Sequence, residues 1–126
     1  MPAKVVDASV LGAWCFREPR SSEALGMLLG SDLYAPTLLA YELTNIARKK
    51  AAAYPHDLHV FSQALATALA LPIHWMEVDH VTVLHLALDV GLTTYDASYL
   101  YVAQTMGASL ATFDQQLGRA ARNTGT

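Results

Sequence analysis

Four of the chain's eleven acidic residues fall where carboxylates can do chemistry together: Asp7, Glu42, Asp96 and Asp114. Asp7 follows the apolar pair Val5-Val6, and Asp114 follows the short apolar run from Ala108 to Thr112. Asp96 opens a helical stretch, and Glu42 extends a longer arm from the middle of another. In an open α/β sheet, sites form beyond the carboxyl ends of the strands, where helix N-termini also converge. Asp7 and Asp114 are placed there by topology alone.

Helix N-termini carry partial positive charge and favour ionised carboxylates, the form a metal requires. Four carboxylates gathered without basic neighbours repel one another and stay ionised at neutral pH only when a cation neutralises them. Hard oxygen donors, one Cys and no paired His point to Mg²⁺ or Mn²⁺ rather than zinc. Each acid also has a purely structural explanation. Asp7 reads equally as a solvated turn acid, Asp is among the preferred helix caps, which covers Asp96 and Asp114, and a Glu such as Glu42 is most often a solvated helix residue.

The elements that must hold these groups follow from the pattern. Val5-Val6 reads as a buried strand, with a helix over Ser9 to Arg17. Ser21/Ser22 cap a second helix through Leu29, closed by Gly30, and Leu33-Tyr34-Ala35 forms a second strand stopped by Pro36. From Pro36 to Ala53, Leu39, Leu43, Ile46 and Ala47 recur at helical spacing, with Pro36 in the first turn. Glu42, Asn45 and Lys49 make one polar stripe on that helix. Pro55 begins a helix with Phe61, Leu65 and Leu69, and Ile73 to Val78 alternates as a strand. Asp79 or His80 starts a helix carrying Val81, Leu84 and Leu88, which Gly91 ends. Thr93 to Asp96 offer caps for a helix ending at Gly107, and a last strand over Ala108 to Thr112 precedes a helix from Asp114 through Arg122. Short strands alternating with helices indicate an α/β fold with a mostly parallel sheet. The expected organisation is one domain over residues 1–126, with 123–126 a frayed tail.

Composition excludes several classes. With 53% hydrophobic and 15% charged residues the chain is not disordered, and the apolar excess favours a homo-oligomer that buries it. A lone Cys15 excludes an intramolecular disulfide and makes the cytoplasm the default compartment. No apolar run approaches the ~18 residues of a membrane span. The formal charge of −3 offers none of the basic excess typical of nucleic-acid binders. His56 and His59 share a helix face, but His74, His80 and His85 show no ligand spacing. Tyr95, Tyr99 and Tyr101 could stack on bases, although core packing with a wet hydroxyl is the plainer reading.

Four segments together carry a resemblance: Val5-Val6-Asp7-Ala8-Ser9, Tyr41-Glu42-Leu43-Thr44-Asn45, Tyr95-Asp96-Ala97-Ser98-Tyr99-Leu100 and Leu110-Ala111-Thr112-Phe113-Asp114. In this order they resemble the PIN-domain ribonucleases, in particular the VapC-type toxins of bacterial and archaeal toxin–antitoxin modules. The resemblance spans Val5 to Arg122.

It implies an α/β/α sandwich with a short central sheet of four to five strands, and an acidic pocket that binds one or two divalent ions (Mg²⁺ or Mn²⁺) and hydrolyses RNA. Carried over by position, Asp7, Glu42, Asp96 and Asp114 would be the catalytic metal-site carboxylates, with Ser9, Thr112 and Asn45 in support. The implied substrate is a transfer or ribosomal RNA, and the implied partners are a cognate antitoxin protein and a second copy of the chain. Gln116 stands where some members have a further acid or Asn. If the four acids are metal ligands, removing their charges turns −3 into +1. What remains, including Arg48-Lys49-Lys50 and Arg119/Arg122, is then mildly basic and suited to a modest RNA contact. Two other classes stand beside this one: a non-catalytic PIN-like RNA-binding or protein-interaction domain, and an α/β phosphotransfer or dehalogenase-type enzyme using Asp7 as nucleophile.

Overall fold

A computed structural model describes residues 1–126. Four parallel strands, β1 (Ala3–Val6), β2 (Asp32–Pro36), β3 (His74–Met76) and β4 (Ser109–Ala111), form one sheet in the order β3-β2-β1-β4. Seven helices surround it: α1 (Ala8–Cys15), α2 (Ser21–Leu28), α3 (Leu38–Ala53), α4 (Leu58–Leu69), α5 (His80–Val90), α6 (Thr94–Met106) and α7 (Gln115–Asn123). One group packs around α1, which meets α2, α3 and α4; the other packs around α6, which meets α5 and α7 and lies on β1, β2 and β4. This is the α/β/α sandwich the sequence implies, with four strands.

Parallel strands covered on both faces read as continuous apolar runs, and Val5 and Val6 are fully buried. Around them Val10, Leu11, Leu39, Leu43, Leu100 and Leu117 close the core. The strand order is what positions a site. From β1 the chain adds β2 and then β3 on one side, and later returns to add β4 on the other. The direction of winding therefore reverses between β1 and β4, and a crevice opens beyond their carboxyl ends. Asp7 and Asp114 follow those two strands.

Several local readings are corrected. Pro36 ends β2, opposite Met76, instead of starting α3. It has no N–H to give, and the next contact to β3 is made by Thr37, whose N–H donates to the Met76 carbonyl at 3.2 Å. Arg20, not Ser21 or Ser22, flanks α2, because the Ser21 N–H is already turned back onto the Glu18 carbonyl at 2.9 Å. β3 is an edge strand of only three residues. In α5 it is Val83 and Ala87 that are buried; Val81, Leu84 and Leu88 are 66%, 48% and 74% exposed. A helix this apolar has more than one candidate stripe, and only packing against α6 selects the inner one. The Gly stops do hold: Gly91 and Gly107 cap α5 and α6 at φ +72° and +60°, a conformation costly for side-chain-bearing residues. At the end of the chain, the Thr124 hydroxyl bonds the Ala120 carbonyl at 2.9 Å and the Thr126 N–H bonds the Ala121 carbonyl at 2.8 Å. No helix is long and apolar enough to cross a membrane.

Two substitutions separate core burial from capping. Leu43→Ala, at a fully buried position, is expected to cost about 2–5 kcal/mol in urea unfolding. Asp79→Ala removes the carboxylate that caps α5 through the Thr82 N–H at 3.3 Å, and is expected to cost about 1 kcal/mol. Equal losses in the two variants would contradict this packing.

Candidate active site

Asp7 is the N-cap of α1 and is only 5% exposed. Burial of a charge this deep is costly unless every lone pair is used. One carboxylate oxygen, Oδ1, accepts from the Ser9 hydroxyl at 2.6 Å and the Val10 N–H at 3.2 Å; the other, Oδ2, accepts a short bond from the Thr112 hydroxyl. Both hydroxyls in turn accept backbone N–H groups of the β4–α7 corner. Ser9 Oγ takes the Phe113 N–H at 2.9 Å, and Thr112 Oγ1 takes the Asp114 N–H at 2.9 Å. The Asp7 N–H also donates to the Ala111 carbonyl at 3.3 Å. The β1–α1 and β4–α7 corners are thus laced together by two hydroxyls.

Asp114 caps α7 through the Leu117 N–H at 2.8 Å. Asp96 does not cap: Thr93 Oγ1 accepts the Asp96 N–H at 3.1 Å, so Thr93 starts α6 and the Asp96 carboxylate lies free in the first turn. Capping, a complete explanation for the other two aspartates, does not account for this one. Glu42 reaches from α3 to α6, where it accepts a short hydrogen bond from the Tyr99 hydroxyl. Tyr99 is 1% exposed, so base stacking is excluded for it, and its hydroxyl is spent on a carboxylate instead of water. The spacing offered one hint, since Tyr99 lies one helical turn after Asp96 on the same face. Asn45 is exposed and no hydrogen bond joins it to the acids. Gln116 donates to the Gly91 carbonyl at 3.2 Å, tying α7 to the end of α5.

The four acids share one electrostatic neighbourhood. Burial first, and then the charges of Asp114 and Asp7, hold the Asp96 carboxyl above its ordinary range. Burial also raises Glu42, against the Tyr99 hydroxyl, with Asp96 and Asp7 adding to the rise. Asp7 is raised by burial, opposed by Ser9, Thr112 and the backbone. Tyr99 is pushed far up by burial and by Glu42, so it remains a donor. No base compensates this charge: the chain's two ion pairs are Arg20 with Glu23 and Lys50 with Glu18. An uncompensated cluster of hard oxygens fits a divalent cation. As they stand, however, no three Asp, Glu, His or Cys side chains converge on a single point; Asp7 spends both carboxylate oxygens, and Glu42 and Asp114 one each, on partners within the protein. Cys15 is half buried with its thiol pushed up to about 12 by burial, the behaviour of a small hydrophobe.

Thr112→Val deletes one donor to a buried carboxylate and is expected to cost about 1–3 kcal/mol at pH 7. Because the lost bond favours the ionised form, the loss should shrink in acid, where Asp7 is protonated; a pH-independent loss would contradict the assignment. For Asp96, Glu42 and Asp7 the folded-state pKa is raised, so each adds stability at acid pH that disappears as pH climbs through the folded value. Asp96→Asn should therefore stabilise the metal-free protein at neutral pH by up to about 1 kcal/mol, the scale of a partly solvated pair. Thermal unfolding of both proteins should converge as pH falls below the carboxylate range.

The topology and this acidic corner can be set against known proteins. The PIN domain family matches residues 4–123. Ribonuclease VapC3 of Pyrobaculum aerophilum is 31% identical over 118 residues, 90% of this chain and 90% of that protein. The crystal structure of PAE2754 from Pyrobaculum aerophilum superposes with a TM-score of 0.77 at 28% identity, covering 96% of this chain and 86% of that one. A match over nearly the full length, on a parallel sheet whose winding reverses at Asp7 and Asp114, establishes that the chain belongs to the PIN domain family.

Proposed function

We propose that this chain is a divalent-metal-dependent endoribonuclease that acts as the toxin of a toxin–antitoxin pair. The observation that carries the reading is the set of four carboxylates at the β1/β4 crevice with no lysine or arginine paired to any of them. The similarity to a protein named as a ribonuclease supports the substrate class. Asp7, Asp96, Asp114 and Glu42 would hold Mg²⁺ or Mn²⁺. Such an ion lowers the pKa of a water molecule and neutralises charge developing on phosphate oxygens.

The chain's own residues do the positioning. Ser9 and Thr112 favour the ionised form of Asp7 against its burial and fix it between the two strand ends. Tyr99 orients Glu42, and Asp96, uncommitted to any cap, is the carboxylate most free to turn toward a ligand. Water is the nucleophile, and the products carry 5′-phosphate and 3′-hydroxyl ends.

The substrate in this reading is a transfer or ribosomal RNA, which places the action in the cytoplasm. Two apolar surfaces support protein partners: a groove between α1 and α4 lined by Trp14, Phe16, Val60 and Phe61, and the exposed Val81, Leu84, Leu88 and Tyr95. One serves a second copy of the chain and the other an antitoxin, whose Arg fork could neutralise the acids in a metal's place.

Purified protein should cleave RNA with Mg²⁺ or Mn²⁺ and stop when chelator is added. Asp7→Asn or Asp96→Asn should lower the rate ~100-fold or more while the protein stays folded. Cleavage that survives chelator, or a 2′,3′-cyclic phosphate product, would overturn the mechanism. RNA binding without cleavage under any metal would identify a non-catalytic domain.

A further inference from the structure

Beside the acidic corner lies a cleft of opposite character. It is lined by Arg20, Arg119 and Arg122, with Thr112, Phe113 and Asp114 on its inner side. Three of the chain's eight Lys and Arg residues meet here, in a protein of net charge −3. Sequence alone offered two basic patches, and their surroundings differ. On α3, Lys50 is neutralised by Glu18 at 2.9 Å. On α7, Arg119 and Arg122 are exposed and in no ion pair, and Arg20, itself paired with Glu23, joins them from the α1–α2 connection.

The cleft is built onto the acidic network. The Arg20 guanidinium lies over the Phe113 ring at 3.7 Å and is steadied by two bonds to Glu23, at 2.8 and 3.0 Å. Phe113 is itself held by Ser9, and Thr112 by Asp7. On the other wall, α7 carries a glycine within its span despite the entropic penalty of that residue in a helix. A Cβ at Gly118 would stand 3.4 Å from Arg122 Nη1 and 3.7 Å from Thr112 Cγ2. Both are ordinary contact distances, and they put the Arg122 guanidinium and the Thr112 methyl beside this face of α7. Thr112 and Asp114 border both the cleft and the acids, so a strand entering one reaches the other.

We propose that the Arg20–Arg119–Arg122 cleft is a phosphate subsite, holding a phosphodiester of the RNA strand adjacent to the bond that is cut. This rests on the ribonuclease reading above. Planar guanidiniums take phosphate oxygens two at a time, which fixes the strand's direction as well as its position. The carboxylate of Asp114 at the inner end repels phosphate, so the bound group sits toward the arginines, and the next one along falls beside the acids.

The test is steady-state cleavage of a single-stranded RNA by wild type, by Arg119→Gln/Arg122→Gln, and by Arg48→Gln/Lys49→Gln, which removes equal charge from α3. The α7 double variant should raise KM about tenfold or more, with kcat within about threefold, and should reduce the slope of log KM against log salt by roughly 0.7 per arginine. A methylphosphonate walked along the RNA should cost wild type affinity at one position and cost the α7 variant nothing there. Circular dichroism confirms that the variants fold. If wild type cleaves and the α7 variant keeps the wild-type KM, or loses kcat instead, the subsite is wrong while the nuclease reading stands. An equal rise in KM for the α3 variant would show that net charge, not the cleft, is responsible, and would overturn the proposal. If wild type neither binds nor cleaves RNA, the subsite and the function both fall.

Discussion

Everything in the functional corner hangs on one buried carboxylate. Asp7 is withdrawn from water between β1 and β4, and leaving it ionised there without partners would cost several kcal/mol. The protein offsets part of that cost with the Ser9 and Thr112 hydroxyls and the Val10 N–H. Because both hydroxyls also accept backbone N–H groups from the β4–α7 corner, satisfying the charge fixes where Asp114 begins its helix. One electrostatic requirement therefore sets the relative position of two strand ends that belong to opposite ends of the chain.

Around this anchor the fold concentrates charge that it does not neutralise. Glu42 is held above its usual range by burial and by the charges of Asp96 and Asp7, Asp96 by burial and by the charges of Asp114 and Asp7, and no ion pair in the molecule involves either. Such a cluster lowers the stability of the protein alone and is the mark of a site completed by something cationic. The arrangement also reverses the first impression from net charge. Four of the eleven acids, enough to turn −3 into +1 when set aside, lie at one crevice, and three arginines flank it. A polyanion approaching the protein meets a divided surface, not a uniformly repulsive one.

How much of this was legible in the sequence depended on how local the cause was. Asp7 and Asp114 could be placed because a short apolar run followed by a capping acid marks a strand-to-helix corner, and the capping bonds to Val10 and Leu117 are three residues long. Gly91 and Gly107 were readable for the same reason. Pro36 was misread because its place in β2 depends on pairing with Met76 of β3, forty residues away. The buried positions of α5, Val83 and Ala87, were not legible because its apolar residues outnumber the positions that α6 can cover. Tyr99 and Glu42 are 57 residues apart, and Arg20 joins Arg119 and Arg122 only through tertiary structure. No periodicity could have paired them. The four acids were found by their flanks; what holds them, and what surrounds them, required the fold.

The central claim is that Asp7, Glu42, Asp96 and Asp114 form one cation site in this PIN-domain chain. Titration calorimetry with Mn²⁺ at about pH 5, in two buffers of different ionisation enthalpy, tests it most directly, because raised carboxylates must give up protons to bind a metal. The account predicts saturable binding with net proton release, both sharply reduced in Asp96→Asn. Absence of saturable binding, or binding that releases no protons and is indifferent to that substitution, would contradict it.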